Sequence, residues 1–182
     1  MIILKSVEYI NWGPFPRLDY DNKPYSNKIE GLSENNNWIY GEQNSGKTSF
    51  NNGLLWLLTD DVYLTKIKAE INVVTDVRYY LNTTAVNNGD HEFSVKATFY
   101  NTNTNQTIEI QRKQELPDDL ISKAKKQDVQ AKEYLLEKMK KTDLKDSKLS
   151  INIKKDGEIQ DGAISGDYLK TIFPPDLRDY FF

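Results

Sequence analysis

Apolar residues along this chain recur with two periods, and the periods divide it into strands and helices. Met1 to Ile10 mixes Ile, Leu, Val and Tyr without a turn residue, which predicts a strand at least partly buried on both faces. Asn11, Gly13, Pro14 and Pro16 break it, and a polar, turn-rich stretch follows from Asp19 to Asn37. Trp38, Ile39 and Tyr40 then predict a short apolar strand running directly into Gly41. From Gly46 to about Leu58 the pattern is helical. Asn51, Asn52 and Gly53 cost that helix about 1 kcal/mol or more in propensity, so it needs support from packing or from a ligand.

Alternation by twos returns at Phe93, Val95, Ala97 and Phe99, and again at Ile108 and Ile110. The polar turn Asn101 to Asn105 between them predicts an antiparallel hairpin. Asp118 or Asp119, just after Pro117, is placed to cap a charged helix reaching about Lys141. Its Leu120, Ala124, Ala131, Leu135 and Met139 recur at helical spacing. Leu149, Ile151 and Ile153 alternate toward Asp156-Gly157, a two-residue hairpin signal. A short helix around Tyr168 to Ile172 and the Pro174-Pro175 break lead to the aromatic end Tyr180-Phe181-Phe182.

Composition narrows the class without naming a partner. The 182 residues are 38% hydrophobic, enough for one core with a small satellite lobe. A net charge of −3 with both signs interspersed exerts no global pull toward nucleic acid or anionic lipid. The chain has no cysteine, so it holds neither disulfide nor thiolate metal site, and the cytoplasm is the expected location. The longest apolar run, Leu54 to Leu58, is too short to span a bilayer, so no membrane association is expected.

The chemistry concentrates in Gly41-Glu42-Gln43-Asn44-Ser45-Gly46-Lys47-Thr48, an ungapped match to the P-loop pattern G-x-x-x-x-G-K-[ST]. Gly41 and Gly46 let the backbone turn so that successive amides curl around phosphate oxygens. Lys47 brings a point charge to the β- and γ-phosphates. Thr48 offers its hydroxyl to Mg2+, and the helix it opens turns its positive end toward the same anion, with Ser49 next in line. By chance the octet turns up in roughly one chain in two hundred of this length at ordinary residue usage. The flanking strand and helix signals make chance a still poorer explanation. ATP with Mg2+ is the expected ligand.

Around the octet the sequence resembles the SMC-like, ABC-type ATPases of DNA repair and defence. It resembles above all the ATPase family of the Dnd systems for DNA sulfur modification (phosphorothioation), and the related double-strand-break repair ATPases. The shared features are a strand like Ile2 to Ile10, the turn Asn11-Trp12-Gly13-Pro14-Phe15, and a P-loop near residue 40. After them come the aliphatic-x-Arg signal Ile110-Gln111-Arg112, then Ile172-Phe173-Pro174-Pro175-Asp176-Leu177 leading to Phe181-Phe182. Asn52 stands where many relatives carry Glu.

The resemblance implies an α/β P-loop NTPase fold, the N-terminal lobe of an ABC/SMC-like head, with an antiparallel β subdomain. Residues 1–182 would form this ATP-binding lobe of a split head. Strand, P-loop and helix would occupy 1–60, the hairpin 90–115, the charged helix 118–141, and a hairpin with the segment approaching the Q-loop 148–182. It further implies a coiled coil, signature motif, Walker B acid and catalytic glutamate beyond Phe182, so no catalytic residue is expected within the chain. The implied partners are the C-terminal lobe of the same ATPase, a second head that sandwiches ATP in a homodimer, DNA, and other subunits of a modification or repair complex.

Weaker signals point elsewhere or nowhere. Lys123 to Lys155 holds eleven lysines, which suit a DNA backbone, yet seven acidic residues from Asp128 to Glu158 favour a solvated face. His91 is the sole histidine and suits a hairpin surface. Asp60-Asp61 and Asp118-Asp119 read as helix-terminal residues rather than acid pairs. Arg112 suits a phosphate, an acidic neighbour or a bracing role. Two other function classes stay open: a self-contained P-loop phosphotransferase or GTPase, and a non-catalytic nucleotide-binding module. The first is weakened because no Asn-Lys-x-Asp motif and no apolar strand ending in Asp follow the octet.

Overall fold

A computed structural model describes residues 1–18, 23, 27–34, 37–43, 45–60, 62–65, 72–75, 80, 82–90, 92–118, 122, 147–159 and 166–173. In chain order the elements are β1 (Ile2–Ile10), β2 (Lys28–Glu30), α1 (Lys47–Thr59), β3 (Val62–Thr65), β4 (Asn72–Thr75) and α2 (Thr83–Asn88). They continue with β5 (Glu92–Asn101), β6 (Gln106–Glu115), β7 (Lys148–Lys155), β8 (Glu158–Ile159) and α3 (Gly166–Ile172). Six strands form one sheet in the order β2-β1-β5-β6-β7-β8, and β3 pairs with β4 separately.

Every strand pairing is antiparallel. This overturns the expected α/β P-loop NTPase architecture, whose sheet would carry parallel strands alternating with helices. The reason lies in the pairing. The period-2 segments close into neighbouring hairpins, β5 with β6 and β7 with β8, and β1 joins them antiparallel to β5. Trp38-Ile39-Tyr40, expected as the strand feeding the P-loop, is exposed and joins neither sheet. The charged helix over 118–141 lies outside the described residues except for Asp118 and Ser122, as do His91, Asp61 and the Pro174–Phe182 ending.

The register explains which face is buried. Tyr9 lies opposite Val95, which faces Arg112, which faces Leu149; one row over run Val7, Ala97, Ile110 and Ile151. Phe99, Ile108 and Ile153 form the next row. These alternate positions share one side of the sheet, and α1 lies across β5 and β6. Its Phe50, Leu54, Trp56 and Leu57 join the same buried cluster. Phe173, following α3, closes one end by packing edge-on against Phe99, with ring centroids 4.9 Å apart.

The turn after β1 joins several elements through buried side chains. Asn11 takes a left-handed backbone (φ 54°), and its side-chain amide donates to the Glu92 carbonyl at 2.8 Å while its oxygen accepts from Arg17 N at 2.8 Å. Trp12, fully buried, lies between Trp56 and Tyr80, with centroids 4.9 Å away on either side and interplanar angles of 18° and 4°. Asn82 ties α2 to the turn by donating to the Gly13 carbonyl at 2.7 Å and caps α2 by accepting from Ala85 N at 2.9 Å.

Replacing Trp12 with Ala therefore removes a three-ring stack and should lower stability by about 3–5 kcal/mol, read as a fall in the urea midpoint. Burial also pushes the Tyr80 phenol up to about 12 and Tyr9 well above the usual tyrosine range. Above pH ~10 the unfolded chain gives up these protons while the folded chain keeps them, so stability is full below pH ~10 and falls as pH rises toward 12. Denaturant titrations at pH 9 and pH 11 should show this loss, and Tyr80→Phe should reduce it.

Candidate phosphate-binding site

Gly46 sits at the N-cap of α1 with φ 91° and ψ 8°, a left-handed conformation that disfavours any residue with a Cβ. A Cβ there would also meet Pro14 Cγ at 2.7 Å and Phe15 Cζ at 3.3 Å. The turn after β1 thus abuts the start of the P-loop helix. Two side-chain donors fix that contact: Trp12 Nε1 gives to the Ser49 carbonyl at 2.7 Å, and the Tyr9 hydroxyl gives to the Phe50 carbonyl at 2.8 Å. Gly53 completes the fit, because a Cβ at that position would run into the Tyr9 ring and would stand 3.0 Å from Trp12 Nε1. The glycine that local propensity counts against α1 is what lets the helix approach β1.

The site has the polarity an anion needs. No side chain caps α1, and the amides of its first turn have no intrahelical acceptor. Lys47, Thr48 and Ser49 line an open hollow of about 450 Å³ together with Pro14, Gln43, Ser45 and Gly46, within the size range of small-ligand sites. Lys47 folds back over the loop, its Nζ donating to the Gly41 and Glu42 carbonyls at 2.7 Å each and to Ser45 Oγ at 3.2 Å. These are exposed bonds to neutral acceptors. A phosphate oxygen offers the ammonium a charge-assisted bond roughly twice as strong, so a triphosphate can take the lysine from the loop.

Of the expected binding residues, Gly41, Glu42, Gln43, Ser45, Gly46, Lys47, Thr48 and Ser49 are described and adjacent, and Asn44 lies outside the described residues. The Thr48 hydroxyl, exposed at the first turn, suits Mg2+, which keeps several waters and needs few protein ligands beside the phosphates. Among the described residues no group of three or more His, Asp or Glu gathers into a metal site, so Thr48 and the phosphates would carry the ion.

Arg112 stands at the other end of α1. Its Nε donates to the Leu57 carbonyl at 3.2 Å, and its Nη1 donates to Ser147 Oγ at 2.8 Å and pairs with Asp60 Oδ1 at 3.2 Å. Asp60, at φ 68°, ends the helix by donating its N–H to the Trp56 carbonyl at 2.9 Å. The guanidinium therefore meets an acidic neighbour and the negative end of the helix dipole. It lies roughly 18 Å of helix from the phosphate hollow. Two lysines of β7 are likewise paired: Lys148 with Glu115, and Lys154 with Glu109. Pro14, which lines the hollow, and Phe15 beside it carry no phosphate-binding signal of their own, and their place follows from the close approach to Gly46.

No family model matches the chain, and no curated protein matches it. No helix among the described residues is long and apolar enough to cross a membrane.

Gly46→Ala should cost about 1–2 kcal/mol for the left-handed backbone, with further loss from the crowding against Pro14. Thermal unfolding should show a lower midpoint than for Ala at exposed Gly31, which is also left-handed (φ 73°) but leaves a Cβ in open space.

Proposed function

We propose that residues 41–49 bind the triphosphate of ATP with Mg2+, and that the chain is the nucleotide-binding lobe of an SMC-like ATPase working on DNA in phosphorothioation, restriction or repair. One observation carries the first part: an uncapped helix N-terminus, opened by a left-handed glycine, with a lysine whose three donors rest on neutral loop oxygens beside an open hollow. The DNA-processing role is supported by the sequence resemblance, and the cytoplasm is the location that fits it.

In this reading the chain's own groups bind and orient. First-turn amides of α1 and the Gly46 backbone face the β- and γ-phosphates, Lys47 exchanges its carbonyl partners for phosphate oxygens, and Thr48 holds Mg2+. Mg2+ held there would offset the negative charge of the phosphates. Phosphoryl transfer also needs a positioned water and further charge compensation, which we assign to a C-terminal lobe and to a second head that closes over the nucleotide. The isolated chain is accordingly expected to bind ATP with little turnover.

Isothermal titration with a non-cleavable ATP analogue and Mg2+ tests the reading. Lys47→Ala should lose measurable binding while its unfolding midpoint stays close to the parent's, since Lys47 is exposed. An unchanged affinity in that variant would falsify the site assignment.

A further inference from the structure

Trp38 and Tyr40 are the most exposed large apolar side chains among the described residues, with 75% and 85% of their surfaces open. Side chains of these types carry roughly 150–250 Å² each, and they stand together. Their rings lie 6.5 Å apart at 21°, a stacked pair built from alternate residues of one segment. That segment runs into the phosphate hollow. Tyr40 is bonded to Gly41, whose carbonyl holds the Lys47 ammonium at 2.7 Å. The aromatic step begins where the phosphate cradle begins.

We propose that the Trp38–Tyr40 pair receives the base of the nucleotide whose phosphates occupy residues 41–49. This rests on the nucleotide reading of that site and supplies the part of the ligand that reading leaves unassigned. A planar ring is the chemistry an exposed Trp–Tyr stack recognises. Continuity favours a single nucleotide over a nucleic-acid strand, because Tyr40 is bonded directly to Gly41, whose carbonyl holds the Lys47 ammonium, so a base on the pair and phosphates over the loop belong to one ligand.

Specificity follows from the mode of contact. Stacking reads the face of a ring and not its hydrogen-bonding edge. The site therefore takes purine nucleoside triphosphates as a class, ATP and GTP with similar affinity, ahead of CTP and UTP.

The test titrates the full chain, with Mg2+, against non-cleavable ATP and GTP analogues, CTP and inorganic tripolyphosphate, by calorimetry and by tryptophan fluorescence. The purine triphosphates should bind roughly 5- to 100-fold more tightly than tripolyphosphate, the range expected for one stacked base, and should quench the exposed Trp38. The double variant Trp38→Ala/Tyr40→Ala should lose that advantage and still bind tripolyphosphate as the parent does. Tyr40→Phe, which keeps the ring, should retain it. Both positions are exposed, so an unchanged thermal midpoint serves as the control for folding.

Three outcomes overturn the inference and leave the phosphate site standing: equal affinity of ATP and tripolyphosphate for the parent chain; an undiminished purine advantage in the double variant; or a change of oligomeric state in that variant at constant ATP affinity, which would make the pair an interface between copies. Binding of an oligothymidine that depends on the pair and is not displaced by ATP would assign the pair to DNA and likewise overturn it. If neither ATP nor tripolyphosphate binds the parent chain, the nucleotide reading fails and this inference falls with it.

Discussion

The rest of the structure depends on how the end of β1 grips the first turns of α1. Tyr9 and Trp12 each donate one hydrogen bond to a carbonyl of the helix, at Phe50 and Ser49. Such bonds are worth only about 0.5–1.5 kcal/mol apiece. Their importance is geometric: two donors three residues apart along the strand and its turn fix both the rotation and the axial position of the helix. The stack of Trp56, Trp12 and Tyr80 supplies the buried area that holds the arrangement. The phosphate hollow inherits its orientation from this contact, since Gly46, Lys47 and Thr48 lie within one turn of the gripped carbonyls.

The two ends of α1 are complementary. At the N-terminus the partial positive charge is left without a side-chain cap, which is unfavourable in isolation and suits an incoming anion. At the C-terminus Arg112 donates to the Leu57 carbonyl and the Asp60 N–H to that of Trp56. A helix stabilised at one end and open at the other concentrates its unmet electrostatic demand on the ligand side.

Much of this was legible in the sequence where the deciding interactions are local. Period-2 alternation located β5 and β6 because strands of an antiparallel sheet bury one face, and Asp156-Gly157 located the β7–β8 turn because both residues take positive φ. The octet was legible in full because its residues are contiguous. What failed was strand partnership. The order of strand, loop and helix suggested an α/β sheet with the antiparallel strands in a separate subdomain, yet β1 pairs antiparallel with β5 across some eighty intervening residues, and nothing near β1 records that pairing. Strand β2 has three exposed residues and exists through its partners Ser6, Val7 and Glu8, so no apolar pattern marks it. Gly53 looked like a local defect for the same reason: the side chains that require it lie some forty residues upstream. Arg112 could be classed only once the end of α1 was placed beside it.

The pairing of β6 with β7 sets Lys113 opposite Lys148, so the chain leaves the sheet after β6 and rejoins it at an adjacent point. Doubling the length of such an excursion costs only about 0.6 kcal/mol in closure entropy. The join between β6 and β7 is thereby a point where added length costs the sheet little, and the hollow lined by the first turn of α1 lies at the opposite end of that helix from Arg112 and Ser147.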